Sequence, residues 1–138
     1  MKKLLILIVI CFAQNAFSQT EEPKRYISNS ERSIIEGNQV YNTAGIEVKP
    51  EFPGGAEAMN SLIKQNFKNP KEGLKAKIYA TFIVEKDGSL SDIKIVRDPG
   101  YKTGAEAIRV IKLFPKWSPG KQNNKTVRVL YSLPIVIN

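Results

Sequence analysis

The sequence predicts an α+β fold of two layers: a three-stranded antiparallel sheet, two helices on one of its faces, and a short strand ahead of them. Three observations carry this. Alternating apolar runs bracket Asp87-Gly88 in KAKIYATFIVEKDGSLSDIKIVRD, the pattern of a half-buried β-hairpin. Two other segments repeat apolar residues at three- and four-residue spacing: Ala56, Met59, Leu62, Ile63 and Phe67, then Ala107, Ile108, Ile111 and Phe114. Each is the stripe of a helix laid on a core. The final run, KTVRVLYSLPIVIN, alternates once more, and stripes packed on one apolar sheet face give two layers.

Residues 1–18 read as a signal peptide: Lys2 and Lys3, an apolar run from Leu4 to Ala13, and the small-x-small site Ala16-Phe17-Ser18. The apolar run is half the length of about 20 residues that spans a bilayer. Cleavage after Ser18 removes two lysines, so the net charge falls from +8 to +6. Residues 19–44 are polar and mixed and read as a linker or loosely ordered lead-in. The compact domain is expected over 45–138.

Within it, Ile46 and Val48 alternate as a short strand that Pro50 and Pro53 cut off. Gly54-Gly55 opens the first helix and Asn69-Pro70 closes it. An even-length loop at the hairpin pairs Phe82 with Ile93, Ala80 with Ile95 and Val84 with Ser91. Ile78, Ala80, Phe82, Ile93 and Ile95 then share one face, because a slip of one residue inverts a strand. Thr103 and Glu106 match a capping box for the second helix, and Pro115 ends it. A helix crossover before the last strand favours the order 91–97, 77–85, 127–133, with the last strand open along one flank. Pro134, which cannot donate to a ladder, agrees with an edge position. In FPKWSPGKQNNK the prolines and Gly120 turn the chain and Asn123-Asn124 offers a tight reversal. Trp117 is expected as a buried corner over the helix–sheet seam.

The composition excludes much chemistry. The chain has no histidine, and its only cysteine, Cys11, lies in the leader. The usual proton shuttle, the commonest metal ligand and thiol chemistry are therefore missing from the mature domain. Asp92 and Glu85 fit exposed hairpin positions and Glu106 is explained by capping. No nucleophile elbow, phosphate loop or metal-ligand spacing is present. The expectation is a protein without enzymatic activity, cofactor or metal. The lysines are spread along the chain, so nucleic acid is not an expected partner.

Three stretches, PEFPGG, KIYATFIVEKDGSLSDIKIVRD and GAEAIRVIKLFPKWSPGKQNNKTVRVLYSLPIVI, together resemble the C-terminal domain of TonB-like proteins in the form common in Bacteroidetes. The resemblance covers roughly Glu47 to Ile137. It departs at Ala76, where the family often has glycine. It implies a periplasmic domain, linked to energy-dependent transport, that takes an extended segment of an outer-membrane TonB-dependent transporter, or a similar protein, by strand addition. Carried onto this chain, the receiving edge is Thr126, Val127, Arg128, Val129, Leu130, Tyr131, Ser132 and Leu133. No proline-rich spacer is visible, so a stand-alone module is expected. The alternatives are a membrane-anchored transducer with a retained N-terminus and a scaffold that binds peptidoglycan. An open edge of this kind also admits a homodimer.

Overall fold

A computed structural model describes residues 26–138. The leader read at 1–18 and the start of the lead-in lie outside them. In chain order the elements are α1 (Asn29–Asn38), β1 (Val40–Asn42), α2 (Gly55–Asn66), β2 (Ala76–Val84), β3 (Leu90–Arg97), α3 (Thr103–Ile111), β4 (Gly120–Gln122) and β5 (Lys125–Ile137). The strand order is β1-β5-β2-β3, with β4 paired to the start of β5. The antiparallel trio β3, β2, β5 thus stands in the expected order, inside a larger mixed sheet of five strands. β1 runs parallel to β5, which corrects the three-stranded, all-antiparallel reading.

The core lies between one sheet face and the helices. Ile78, Phe82 and Val84 of β2 are fully buried with Val110 and Ile111 of α3, and Met59 and Ile63 of α2 close the layer. Each such side chain stabilises the fold by about 1.5–3 kcal/mol relative to exposure. On β5 the odd-numbered positions from Val127 to Ile137 face this side, all buried except half-buried Tyr131, and the even-numbered ones face away.

Two bulges alter the hairpin register. Ala80 pairs with Ile95 as expected, yet Ser91 pairs with Ile83 and Leu90 with Val84. Between those points β3 uses one more residue than β2. Asp92 is at φ 49° there, a left-handed conformation that short polar residues tolerate. A bulge absorbs a residue without inverting the rest of the strand, so an odd connection, Glu85–Ser89, coexists with the right core face. Gly88 closes it at φ 85°. Its N–H donates to the Glu85 carbonyl at 2.9 Å, and the Asp87 carboxylate accepts from the Ser89 N–H at 2.9 Å.

Other expectations change too. The strand expected at Ile46–Val48 is reduced to isolated bridges, Val48 with Lys121 and Glu51 with Ser118. Part of the lead-in is ordered: Ser28 and Glu31 form a reciprocal capping box that starts α1, and β1 follows it. The capping box read at Thr103 does not form. Lys102, at φ 61°, is the N-cap, and the Thr103 hydroxyl donates to the Gly100 carbonyl at 2.6 Å.

Trp117 is the buried corner. It is 4% exposed, with ring centroids 4.9 Å from Tyr131, 5.5 Å from Phe82 and 5.7 Å from Phe52, all edge-on. Its backbone N–H donates to the Gly88 carbonyl at 2.9 Å, so the corner grips the hairpin tip. A Cβ at Gly88 would overlap the Trp117 carbonyl. Gly88→Ala is therefore expected to cost roughly 2 kcal/mol or more, from the positive φ and the overlap together; the denaturant midpoint measures it. Native Trp117 emission should be blue-shifted and resistant to iodide, whereas red-shifted, easily quenched emission would contradict a buried corner.

Candidate functional site: the flank of the last strand

β5 has two flanks, and its neighbours cover them unequally. β2 pairs along one flank without interruption from Val129 to Ile137. On the other, β1 reaches only Arg128, Val129 and Leu130. β4 pairs Lys125, Thr126 and Val127 at the start of β5, ahead of the stretch that β2 pairs. The eight residues expected to form the receiving edge thus divide. Thr126 and Val127 are held by β4, Arg128 to Leu130 by β1, and Tyr131, Ser132 and Leu133 have no strand on their second flank among the described residues. Among the described residues the same flank has no paired strand through Pro134 to Ile137 either.

Side chains at the eight positions divide as well. Val127, Val129 and Leu133 are core, and Tyr131 stacks on Phe82 with centroids 5.4 Å apart. Thr126, Leu130 and Ser132 are exposed. Arg128 is engaged internally: its Nε and Nη2 donate to the Glu85 carboxylate at 2.8 and 3.0 Å, and its Nη1 to the Asn38 carbonyl at 3.1 Å. Glu85 also accepts from the Ser91 hydroxyl. It is a half-buried partner, not the exposed hairpin charge read from the sequence. The forked bond from Arg128 holds its carboxyl below the ordinary 4.5, against the upward push of burial. This group ties the end of α1, and hence β1, to the sheet.

Beside the free stretch runs a groove of about 350 Å³ between α2 and β5, walled by Asn60, Ile63, Lys64 and Phe67 and by residues 134–138. A second polar staple sets that wall. Glu106 of α3 accepts from the Lys68 N–H at 2.8 Å and from Arg109, whose guanidinium also donates to the Asn66 carbonyl at 2.7 Å. Arg109 therefore caps the end of α2, and Glu106 holds that arginine and the chain just after α2 instead of capping its own helix. The Arg109 bond draws its carboxyl below 4.5 as well.

The described residues contain no group of three or more metal-ligating side chains. None of their helices is long and apolar enough to cross a membrane. What the arrangement offers is backbone: a strand with unpaired amides and carbonyls beside a groove. Such a flank is a row of backbone groups with which another chain can pair. Residues 69–136 match the family model described as the Gram-negative bacterial TonB protein C-terminal, and the chain carries a domain of that family. No curated protein and no solved structure matches it. The family is one of protein-interaction domains, with a TonB-like role in energy-coupled transport and in binding transporters, and it points to the periplasm.

Both staples make stability depend on pH with a defined sign. Each glutamate has a folded value below its unfolded one, so its contribution is complete above about pH 5 and lost as the pH falls through the depressed value. Glu85→Gln and Glu106→Gln are each expected to lower the urea midpoint at pH 7 and to flatten its fall below pH 5. A wild-type midpoint that stays level through that window would contradict the assignment.

Proposed function

We propose that this chain is a periplasmic docking module, exported with its leader cleaved after Ser18, that takes an extended segment of an outer-membrane transporter as an added strand on β5. The observation that supports it most is the unpaired flank from Tyr131 to Ile137. An exposed row of backbone donors and acceptors is a template for another chain, and addition of a strand is how such edges recognise peptides. This shifts the docking strip toward the C-terminus of the stretch expected from sequence, because β1 already covers Arg128 to Leu130 on that flank.

Proline supplies the orientation. Pro134 has no N–H, yet it sits opposite Tyr79 within an unbroken antiparallel register. In such a ladder, hydrogen-bonded and non-hydrogen-bonded pairs alternate. Pro134 must occupy a non-hydrogen-bonded pair, which turns its carbonyl to the free flank. By alternation, Ser132 and Val136 turn both N–H and C=O the same way. An incoming strand would meet two donors and three acceptors.

The test is a titration of the ¹⁵N-labelled protein with a peptide copying the plug-proximal segment of a transporter from the same cell. The largest shifts are expected at the Ser132 and Val136 amides. Ser132→Pro removes a donor from the free flank and none from the β2 ladder, so it should weaken the peptide about tenfold while Trp117 emission is retained. Shifts confined to β3, or an unchanged affinity in the variant, would remove the basis for this docking mode.

A further inference from the structure

The sheet has a second face, turned away from α2 and α3. Along β2 the core residues Ile78, Ala80 and Phe82 alternate with Lys77, Tyr79 and Thr81, which therefore stand on that outer face. On β5 the outer face carries Ser132, Pro134 and Val136, set opposite Thr81, Tyr79 and Lys77. On β3 the pairs are Ile95 with Ala80 and Arg97 with Tyr79. Val96 is thus the extra residue of a bulge, which sets two residues of one strand against a single residue of its neighbour. Tyr79 accordingly stands between Pro134 on one side and Val96 with Arg97 on the other.

This part of the face is exposed although much of it is apolar. Tyr79 is 41% exposed, Val136 55% and Val96 68%. Among the described residues Lys77 and Arg97 belong to none of the ion pairs. The neighbouring acids are engaged or turned away. Asp92 lies 3.1 Å from Lys94, Glu85 holds Arg128, and Asp98 accepts from the Gly100 N–H ahead of α3. The positive charge around Tyr79 is therefore uncompensated.

A second copy of the chain does not suit such a face, because Lys77 and Arg97 would meet their own kind. A protein partner suits it less than lipid does. Protein interfaces gather apolar area at a dry centre ringed by polar groups, whereas here apolar and cationic side chains are interleaved. A layer of anionic headgroups satisfies both kinds together. Phosphates meet the cations, and the boundary with the acyl chains takes the aliphatic groups and a tyrosine whose ring is apolar and whose tip is polar.

We infer that the outer sheet face, centred on Tyr79 between Lys77 and Arg97, is a peripheral contact for an anionic lipid bilayer. The contact is independent of the strand addition proposed above. The free flank of β5 points along the plane of the sheet, so a domain resting on lipid through its outer face keeps that flank open.

Vesicle flotation tests this. The chain is used from Gln19 onward, because the apolar leader would bind lipid by itself and every buried core residue lies beyond it. At low salt it should bind vesicles of phosphatidylethanolamine with phosphatidylglycerol at least about tenfold more tightly than vesicles of phosphatidylcholine, and less so at high salt. Lys77→Glu combined with Arg97→Glu should weaken that binding by about tenfold or more, with Trp117 emission unchanged. The same charge change made elsewhere, Lys121→Glu with Lys125→Glu, should have a much smaller effect. In Tyr79→Trp the added indole should be quenched by vesicles whose acyl chains are brominated. Equal losses from the two charge-reversed pairs would mean that net charge alone attracts the chain, and the assignment to this face would be wrong. An unquenched indole in a vesicle-bound chain would overturn it as well. No binding to anionic vesicles at low salt would exclude lipid and leave an acidic protein surface as the occupant.

Discussion

Every backbone amide and carbonyl in a sheet must find a partner on its own flank, and β5 is longer than anything beside it on one side. It runs thirteen residues, whereas its parallel neighbour β1 has three. Among the described residues, the unpaired flank from Tyr131 to Ile137 follows from this mismatch alone. Proline then tempers it. A bare edge invites identical edges to pair, and removing one donor at Pro134 makes the strip a poorer template for its own copy. It still leaves backbone groups on either side for a partner of the right register.

A free strand can receive a guest only if it is itself held still. Trp117 does part of this, filling the space among Phe52, Phe82 and Tyr131 while its backbone holds the hairpin tip. Glu51 and Ser118 exchange hydrogen bonds of 3.0 and 2.9 Å, so the approach to α2 is fastened to the same corner. The two carboxylate staples extend the frame. Glu85 and Arg128 fix the point at which β1 joins β5, and Glu106 with Arg109 fixes where α2 ends. One anchors the strand that precedes the strip, and the other sets the position of the wall beside it. The charges of these four side chains serve placement.

Much of this was legible in the residue pattern. The two helical stripes, the hairpin at Asp87-Gly88, the strand order 91–97, 77–85, 127–133 and the Trp117 corner all rest on apolar periodicity and turn chemistry, which act locally. What escaped depends on distant residues. The bulge at Asp92 leaves the apolar alternation of β3 intact on either side, so counting residues across the loop returned the wrong parity near the turn. Glu106 has the spacing of a capping box with Thr103, but Arg109 and the Lys68 N–H compete for its carboxylate and win, since a charged fork outweighs a single neutral backbone N–H. Glu85 looked exposed because its partner Arg128 is forty-three residues away. The helix α1 had a signal that was readable, Ser28 and Glu31 at capping-box spacing, overlooked within a polar lead-in. The parallel pairing of β1 had none, for three residues carry no period.

The shape of the strip also bears on how selective it is. Ser132 and Val136 each donate and accept, and Pro134 accepts only, which makes five backbone hydrogen bonds. Each is worth about 0.5–1.5 kcal/mol net, against an association cost of at least about 4 kcal/mol. Backbone pairing alone therefore yields weak binding, and binding blind to sequence, because every residue but proline offers the same groups. Discrimination must come from side chains beside the ladder. On the face away from the helices, Leu130, Ser132 and Val136 are exposed and offer no walls. On the helix side, α2 supplies one, and only there does a guest side chain lose water on more than one side. In the proposed docking mode the Glu106–Arg109 staple would thus act on specificity at a distance, by holding a wall that the guest must fit.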